Sequence, residues 1–175
     1  MKNWLKKNGK WLIAPAIMGI SFIVSCFFSF PIVFGQSMEN NFHDGDLLFM
    51  NKTRYSSVED IKRFDVVVVK NDEGTLIIKR VIGLPGETLK ITDGETYVNG
   101  VLLNDPYKKE LTEDAGVLKE ELTIPSDCIF VMGDNRNHSR DSRVIGPISF
   151  RDVSGKCESY LFNLHGNDQT TGEGL

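Results

Sequence analysis

The sequence predicts a mostly β protein carried on a single N-terminal transmembrane helix, and three observations lead there. The first is a 24-residue stretch, Trp11 to Phe34, without one Asp, Glu, Lys or Arg. The second is the series of short β-branched and apolar runs that follows it, each broken by turn residues. The third is Asn99-Gly100 set between Tyr97-Val98 and Val101-Leu102-Leu103, the strongest short hairpin signal that a sequence carries.

The apolar stretch is taken first. At 1.5 Å rise per residue a helix over 11–34 spans about 36 Å, enough for a hydrocarbon core of about 30 Å. Lys2, Lys6, Lys7 and Lys10 precede it, and no acidic residue occurs before Glu39. The positive-inside rule then places residues 1–10 in the cytoplasm and the body of the chain outside the cell membrane. A cleaved secretory signal fits poorly, because its apolar core is about 7–15 residues long and exits through small residues. Ile23-Val-Ser-Cys26 looks like a lipoprotein signal, yet the apolar run continues through Phe34 where a polar tether would begin. Single-pass anchoring is the expectation.

Charge and cysteines exclude other classes. The chain has 175 residues and a formal net charge of −4; the lysine-rich start leaves 16 basic against 24 acidic side chains for the remainder. An acidic body argues against nucleic acid as a partner, which needs a basic face. Cys26 reads as a small buried hydrophobe within the apolar run, and Cys128 and Cys157 as unpaired core residues. No cofactor is implied, and nothing has metal-ligand spacing; His43-Asp-Gly-Asp46 reads as a solvated turn.

Strands are expected at Leu47–Met50, Val66–Val69, Leu76–Ile82, on both sides of Asn99-Gly100, and at Ile129–Met132. Helix is suggested only at Ser56–Lys62 and Asp105–Leu111, and the Gly-rich polar tail 165–175 reads as disordered.

The usual hydrolase words are missing: no Gly-x-Ser-x-Gly elbow, no His-Glu-x-x-His, no phosphate loop. Lys79 offers another route. In a strand of period two, Ile77, Lys79, Val81 and Gly83 share a face, so apolar neighbours flank the amine. Neutralising a free lysine at pH 7 costs about 4.6 kcal/mol, and burial removes much of that cost. A neutral lysine can then take a serine proton without histidine. On local sequence alone the solvated reading still wins, since lysines are mostly exposed.

Several words occur together and in order: Gly35-Gln-Ser37-Met38, Arg63-Phe-Asp-Val-Val-Val-Val69, Lys79-Arg-Val-Ile-Gly-Leu-Pro-Gly-Glu87 and Gly133-Asp-Asn-Arg-Asn-His-Ser-Arg-Asp-Ser-Arg143. With the apolar stretch before them, they resemble the type I signal peptidases, in the short form of Gram-positive bacteria. The last two words are the specific ones.

The resemblance implies a Ser/Lys endopeptidase that removes signal peptides from exported preproteins, cutting after small residues of the Ala-x-Ala type. Ser37 would be the nucleophile and Lys79 its general base. Ser139 would hydrogen-bond and orient the lysine, Asp141 and Arg143 would pair, Asp134 would brace the turn, and Met38 would shape the pocket. The implied fold is an antiparallel β-sheet catalytic domain over 35–164, with a small β insert at roughly 90–125. Substrate would bind as an added β-strand. Signal peptides of secreted preproteins and membrane lipid are the implied partners, and assembly with the protein-export channel is left open. Three departures stand out. Asn40-Asn41 replaces the usual Pro-Thr, and Phe64 replaces a usual Gly. Gly35 lacks a hydroxyl for the oxyanion, so the backbone N–H of Ser37 would carry more of that stabilisation. Asn40-Asn41 and Gly35 leave open a second reading, a weakly active or inactive tethered protein that binds signal peptides.

Overall fold

The computed structural model describes the backbone of residues 2–39 and 41–162 and the side chains of 14–39 and 41–158. The expected tail, His165, Asn40 and the last residues before 165 lie outside the described residues.

Helix α1 (Lys2–Phe27) starts before the expected span and ends seven residues short of it. The early stop has a local cause. Pro31 has no N–H to continue a helix and disfavours helical backbone at the residue before it. Phe28–Ser29 instead forms strand β1 against β2 (Leu47–Asn51). The Phe28 and Phe30 rings pack on Phe49 at 5.1 and 6.0 Å. Lys52 closes the helix end, its backbone N–H donating to the Phe27 carbonyl and its Nζ to the Ser25 carbonyl, both at 2.9 Å. Among the described residues no helix is long and apolar enough to cross a membrane. Apolar side chains of α1 are nevertheless turned outward, Met18 and Phe22 each 72% exposed. Cys26 is exposed too, where burial was expected.

Beyond β2 the strands are β3 (Val66–Lys70), β4 (Leu76–Gly83), β5 (Thr88–Thr92), β6 (Glu95–Val98), β7 (Val101–Leu102), β8 (Leu122–Thr123), β9 (Cys128–Met132), β10 (Ile148–Ser149) and β11 (Val153–Phe162). A seven-stranded sheet runs β1-β2-β11-β3-β4-β9-β10, and a four-stranded sheet runs β7-β6-β5-β8. Their pairings are antiparallel. The mostly β architecture is therefore as the sequence indicates.

Alternation along β3 sorts its valines into two cores. Val67 and Val69 pack with Val81, Ile129 and Val131 on one face. Val66 and Val68 pack with Val33, Met38, Leu48, Met50 and Cys157 on the other. A third cluster, Ile82, Leu89, Leu118, Ile124 and Phe130, joins the two sheets. Gly83 permits that junction: a Cβ there would lie 2.3 Å from Ile124 Cδ1 and 2.7 Å from Leu89 Cδ1. The Asn99-Gly100 turn has φ of 51° and 76°, positive at both positions as a type I′ hairpin requires.

Three local expectations are corrected. Asp105–Leu111 is not helical. Asp105 instead accepts from the Tyr107 N–H at 2.9 Å and pairs with buried Arg136, while the Lys109 N–H donates to the Asp134 carbonyl at 3.0 Å. Ser56–Lys62 supplies one 3-10 turn, Val58–Asp60, because the Asp60 carboxylate accepts from the Ser56 and Ser57 N–H groups at 2.8 and 3.0 Å. Asp46 is fully buried rather than solvated, accepting from the His43 N–H at 2.7 Å.

Candidate active site

Ser37 sits in the loop between β1 and β2. Gly35 takes φ of 81° there, and its N–H donates to Asp44 Oδ1 at 2.7 Å. Met38 is 1% exposed and plugs the core beneath the loop, so Ser37 beside it is turned toward the surface. The Asn41 and Phe42 N–H groups both donate to the Met38 carbonyl, at 3.0 and 2.9 Å, closing the loop into a tight turn.

Lys79 lies on β4 directly across from fully buried Val67, with Ile77 and Val81 of the same core beside it. It is 4% exposed, against the local expectation of a solvated lysine. Its Nζ donates to Ser37 Oγ at 2.7 Å and to the Ile78 carbonyl at 3.0 Å. Burial pushes its pKa down to about 8, opposed by the charges of Asp141 and Asp134 and aided by Arg143. No carboxylate among the described residues forms an ion pair with it, so desolvation is left largely uncompensated.

The segment Gly133–Arg143 packs against the Ser37 loop. The Asn135 N–H donates to the Ser37 carbonyl, and Asn135 Nδ2 donates to the Gln36 carbonyl, each at 3.1 Å. Gly133 makes this approach possible: a Cβ there would stand 2.4 Å from both the Ser37 carbonyl oxygen and Ser139 Oγ. The Gly133 N–H donates to Asp141 Oδ2 at 2.9 Å. Arg143 pairs with Asp141 through Nε and Nη2, both at 2.9 Å, and Asp141 caps the short helix α2 (Ser142–Ile145). Asp134 does more than brace its own turn. Arg80 Nε and Nη2 each donate to its carboxylate at 2.7 Å, and Asn41 Nδ2 donates to Oδ2 at 2.9 Å.

Ser139 does not reach Lys79 as expected. Its Oγ is buried, has no hydrogen-bond partner among the described residues, and faces the space that Gly133 leaves open. The lysine's bonds go instead to Ser37 and its own neighbour's carbonyl.

The dyad opens onto a groove of about 300 Å³ between Ile32–Phe34 and Thr75–Ile78, with Met38 on its floor. Val81 exchanges its N–H and C=O with Asp65 and Phe64, on the β3 side. The pleat therefore turns the N–H and C=O of Ile78 to the opposite edge, where β9 has already ended at Met132 opposite Arg80. A backbone edge thus faces the groove. The Ser37 N–H has no acceptor among the described residues. Among those residues no group of three or more His, Cys, Asp or Glu side chains is placed to hold a metal ion. Cys128 and Cys157 are not bridged, and burial pushes the Cys157 thiol up to about 12.

Sequence reasoning passed over Asn135, Arg80 and Asn41. Asn135 lay inside the Gly-Asp-Asn-Arg word and was legible there; Asn41 stood out only as a departure from the usual threonine.

The chain is similar to proteins of one known family. The family described as "Signal peptidase, peptidase S26" matches residues 1–162. A signal peptidase I of Bacillus licheniformis is 37% identical, the match covering 92% of this chain and 93% of that protein. A signal peptidase I P of Bacillus subtilis subsp. natto is 39% identical over 93% of this chain and 89% of its own. A solved signal peptidase I from Enterococcus faecalis is 33% identical, covering 56% of this chain and 97% of that structure, with a TM-score of 0.47.

Proposed function

The chain belongs to the signal peptidases of the S26 family, and on that premise we propose that it is a membrane-bound serine endopeptidase with Ser37 as nucleophile and neutral Lys79 as general base, removing signal peptides from exported preproteins. The 2.7 Å contact between Lys79 Nζ and Ser37 Oγ carries the reading.

The neutral amine takes the Ser37 proton as Oγ attacks the scissile carbonyl carbon, giving a tetrahedral oxyanion. The Ser37 N–H is the donor available to that oxyanion. As the intermediate collapses, the Lys79 ammonium gives its proton to the leaving amine of the mature protein. The signal peptide stays as an ester on Ser37 until a water, deprotonated by Lys79, attacks it and restores both groups. With a pKa of about 8, roughly one Lys79 in ten is neutral at pH 7, against about one in 2,500 for a free lysine.

The open edge at Ile78 supports binding of the preprotein as an added strand, which presents alternate side chains to the groove. Preference for small residues of the Ala-x-Ala type is part of this proposal and is supported by the family resemblance alone. The outward apolar side chains of α1, with the lysines before them in sequence, support a single-pass anchor with its N-terminus in the cytoplasm and the body outside.

The test incubates the full chain with a preprotein in detergent and compares it with Ser37→Ala and Lys79→Ala. Each substitution is expected to lower kcat at least about 10³-fold. In the unaltered enzyme log kcat/KM should rise with pH and level off near 8, where Lys79 becomes neutral. Equal cleavage by all three proteins overturns the dyad, and binding without cleavage at every pH favours the tethered binding protein.

A further inference from the structure

The loop that carries Ser37 departs from the usual Pro-Thr at its far end, and Asn41 is where that departure meets the rest of the site. Asn41 spends both of its nitrogen donors on holding the loop. Its backbone N–H donates to the Met38 carbonyl at 3.0 Å, and its Nδ2 donates to Asp134 Oδ2 at 2.9 Å. Asp134 is fully buried, and its two oxygens are also gripped by Arg80 at 2.7 Å each. Arg80 is the residue next to Lys79 on β4. One carboxylate is therefore tied by a short covalent path to each member of the dyad: four residues from Asn41 back to Ser37, and one from Arg80 back to Lys79.

We propose that Asn41 is a positioning residue for the reaction: by donating to Asp134, which also holds Arg80, it sets the spacing between the nucleophile loop and the strand that carries the base. The inference rests on the Ser37–Lys79 reading above. A hydrogen bond to an ionised acceptor is among the stronger ones a neutral side chain makes. The Lys109 Nζ to Glu39 Oε2 ion pair at 3.7 Å, also on this loop, is long and partly exposed, so it holds little. The near flank is fixed separately by Asn135 on the Ser37 and Gln36 carbonyls. Without the Asn41 side chain the loop loses its direct tie to Asp134, and with it the link to the strand that carries Lys79. Displacing a nucleophile by about 1 Å costs up to about 10²-fold in rate without touching substrate binding.

The experiment measures kcat, KM and melting temperature for the full chain in detergent with Asn41→Leu, Asn41→Asp and Asn41→Gln, beside Ser37→Ala. Asn41→Leu keeps the size and loses the donor; kcat should fall roughly 10–100-fold with KM within about twofold. Asn41→Asp keeps the shape but faces the Asp134 carboxylate with another, and should fall at least as far. Asn41→Gln keeps the donor on a longer stem and should retain more kcat than either. Unchanged kcat in Asn41→Leu overturns the proposal. So does an Asn41→Asp enzyme that works like the unaltered one, since packing would then explain the residue. A loss of activity that only follows a lowered melting temperature also overturns it. If Ser37→Ala cleaves as well as the unaltered chain, the dyad reading fails first and this one with it; if only the Asn41 series is flat, the dyad stands.

Discussion

Two cations one residue apart on β4 are buried to the same depth and handled in opposite ways. Lys79 and Arg80 are each 4% exposed. Arg80 has the Asp134 carboxylate along the Nε–Nη2 edge of its guanidinium, the Phe64 carbonyl on Nη1 at 3.0 Å, and the Tyr107 ring 3.7 Å from its central carbon. Lys79 has a hydroxyl and a carbonyl. A fully matched guanidinium stays charged and braces structure, whereas an amine desolvated without a carboxylate gives up its proton more readily. Strand alternation makes the division possible, because consecutive residues face opposite sides of the sheet.

Breaking the matched cation should have the largest effect on stability. Asp134→Ala leaves Arg80 charged and buried with no counter-ion, at a cost of about 3–5 kcal/mol. Urea unfolding of the full chain in detergent measures it. A loss below about 1 kcal/mol would mean that the Phe64 carbonyl and the Tyr107 ring suffice, and the contrast with Lys79 would be one of degree.

Relieving the unmatched cation should act in the other direction. The Lys79 pKa falls from 10.5 to about 8 on folding, so below pH 8 the folded chain carries a charge it disfavours. That penalty is about 3 kcal/mol, and it fades as pH rises from 8 to 10.5, where the folded lysine sheds its proton and the unfolded one keeps it. Lys79→Met removes the charge at similar size. It should be inactive, yet more stable than the parent by up to about 3 kcal/mol at pH 7 and about 2 kcal/mol at pH 9. A gain independent of pH would assign the effect to packing rather than to charge.

What the sequence made legible follows the same physics. Period-two alternation was enough to set Lys79 between Ile77 and Val81, and Asn99-Gly100 carried its turn because both residues tolerate positive φ. Burial of Lys79 was not legible, since it depends on Val67 arriving from another strand. Strand β11 was missed although it is central, pairing with both β2 and β3. Its Val-Ser-Gly-Lys-Cys-Glu pattern is polar at every second or third position, and its register is irregular on both sides. The partner of Arg80 was beyond reach for the same reason as that of Asn41: Asp134 is contributed from more than fifty residues away in each case. The helix expected over Asp105–Leu111 failed because Asp105 and the Lys109 N–H are claimed by Arg136 and Asp134, contacts that no local propensity encodes.

Phe64 gives the smallest but most discriminating test of how the Arg80 side is built. The family resemblance leads to glycine at this position, and Phe64 adopts φ of 70° there, a region that disfavours a Cβ. Its carbonyl serves Arg80, its N–H donates to the Val81 carbonyl at 2.8 Å, and its ring lies 5.5 Å from that of Tyr107, the ring that covers Arg80. The strain is therefore offset by an aromatic contact that completes the cover on the guanidinium. Phe64→Ala keeps the strain and loses the ring; Phe64→Gly loses both. At an ordinary position alanine is the more stable of the two by about 0.5–1 kcal/mol. Here the order should invert, with Phe64→Gly the more stable by about 1 kcal/mol in urea unfolding. If alanine proves equal or better, the backbone at this position is not strained, and the departure from glycine costs the Arg80 side nothing.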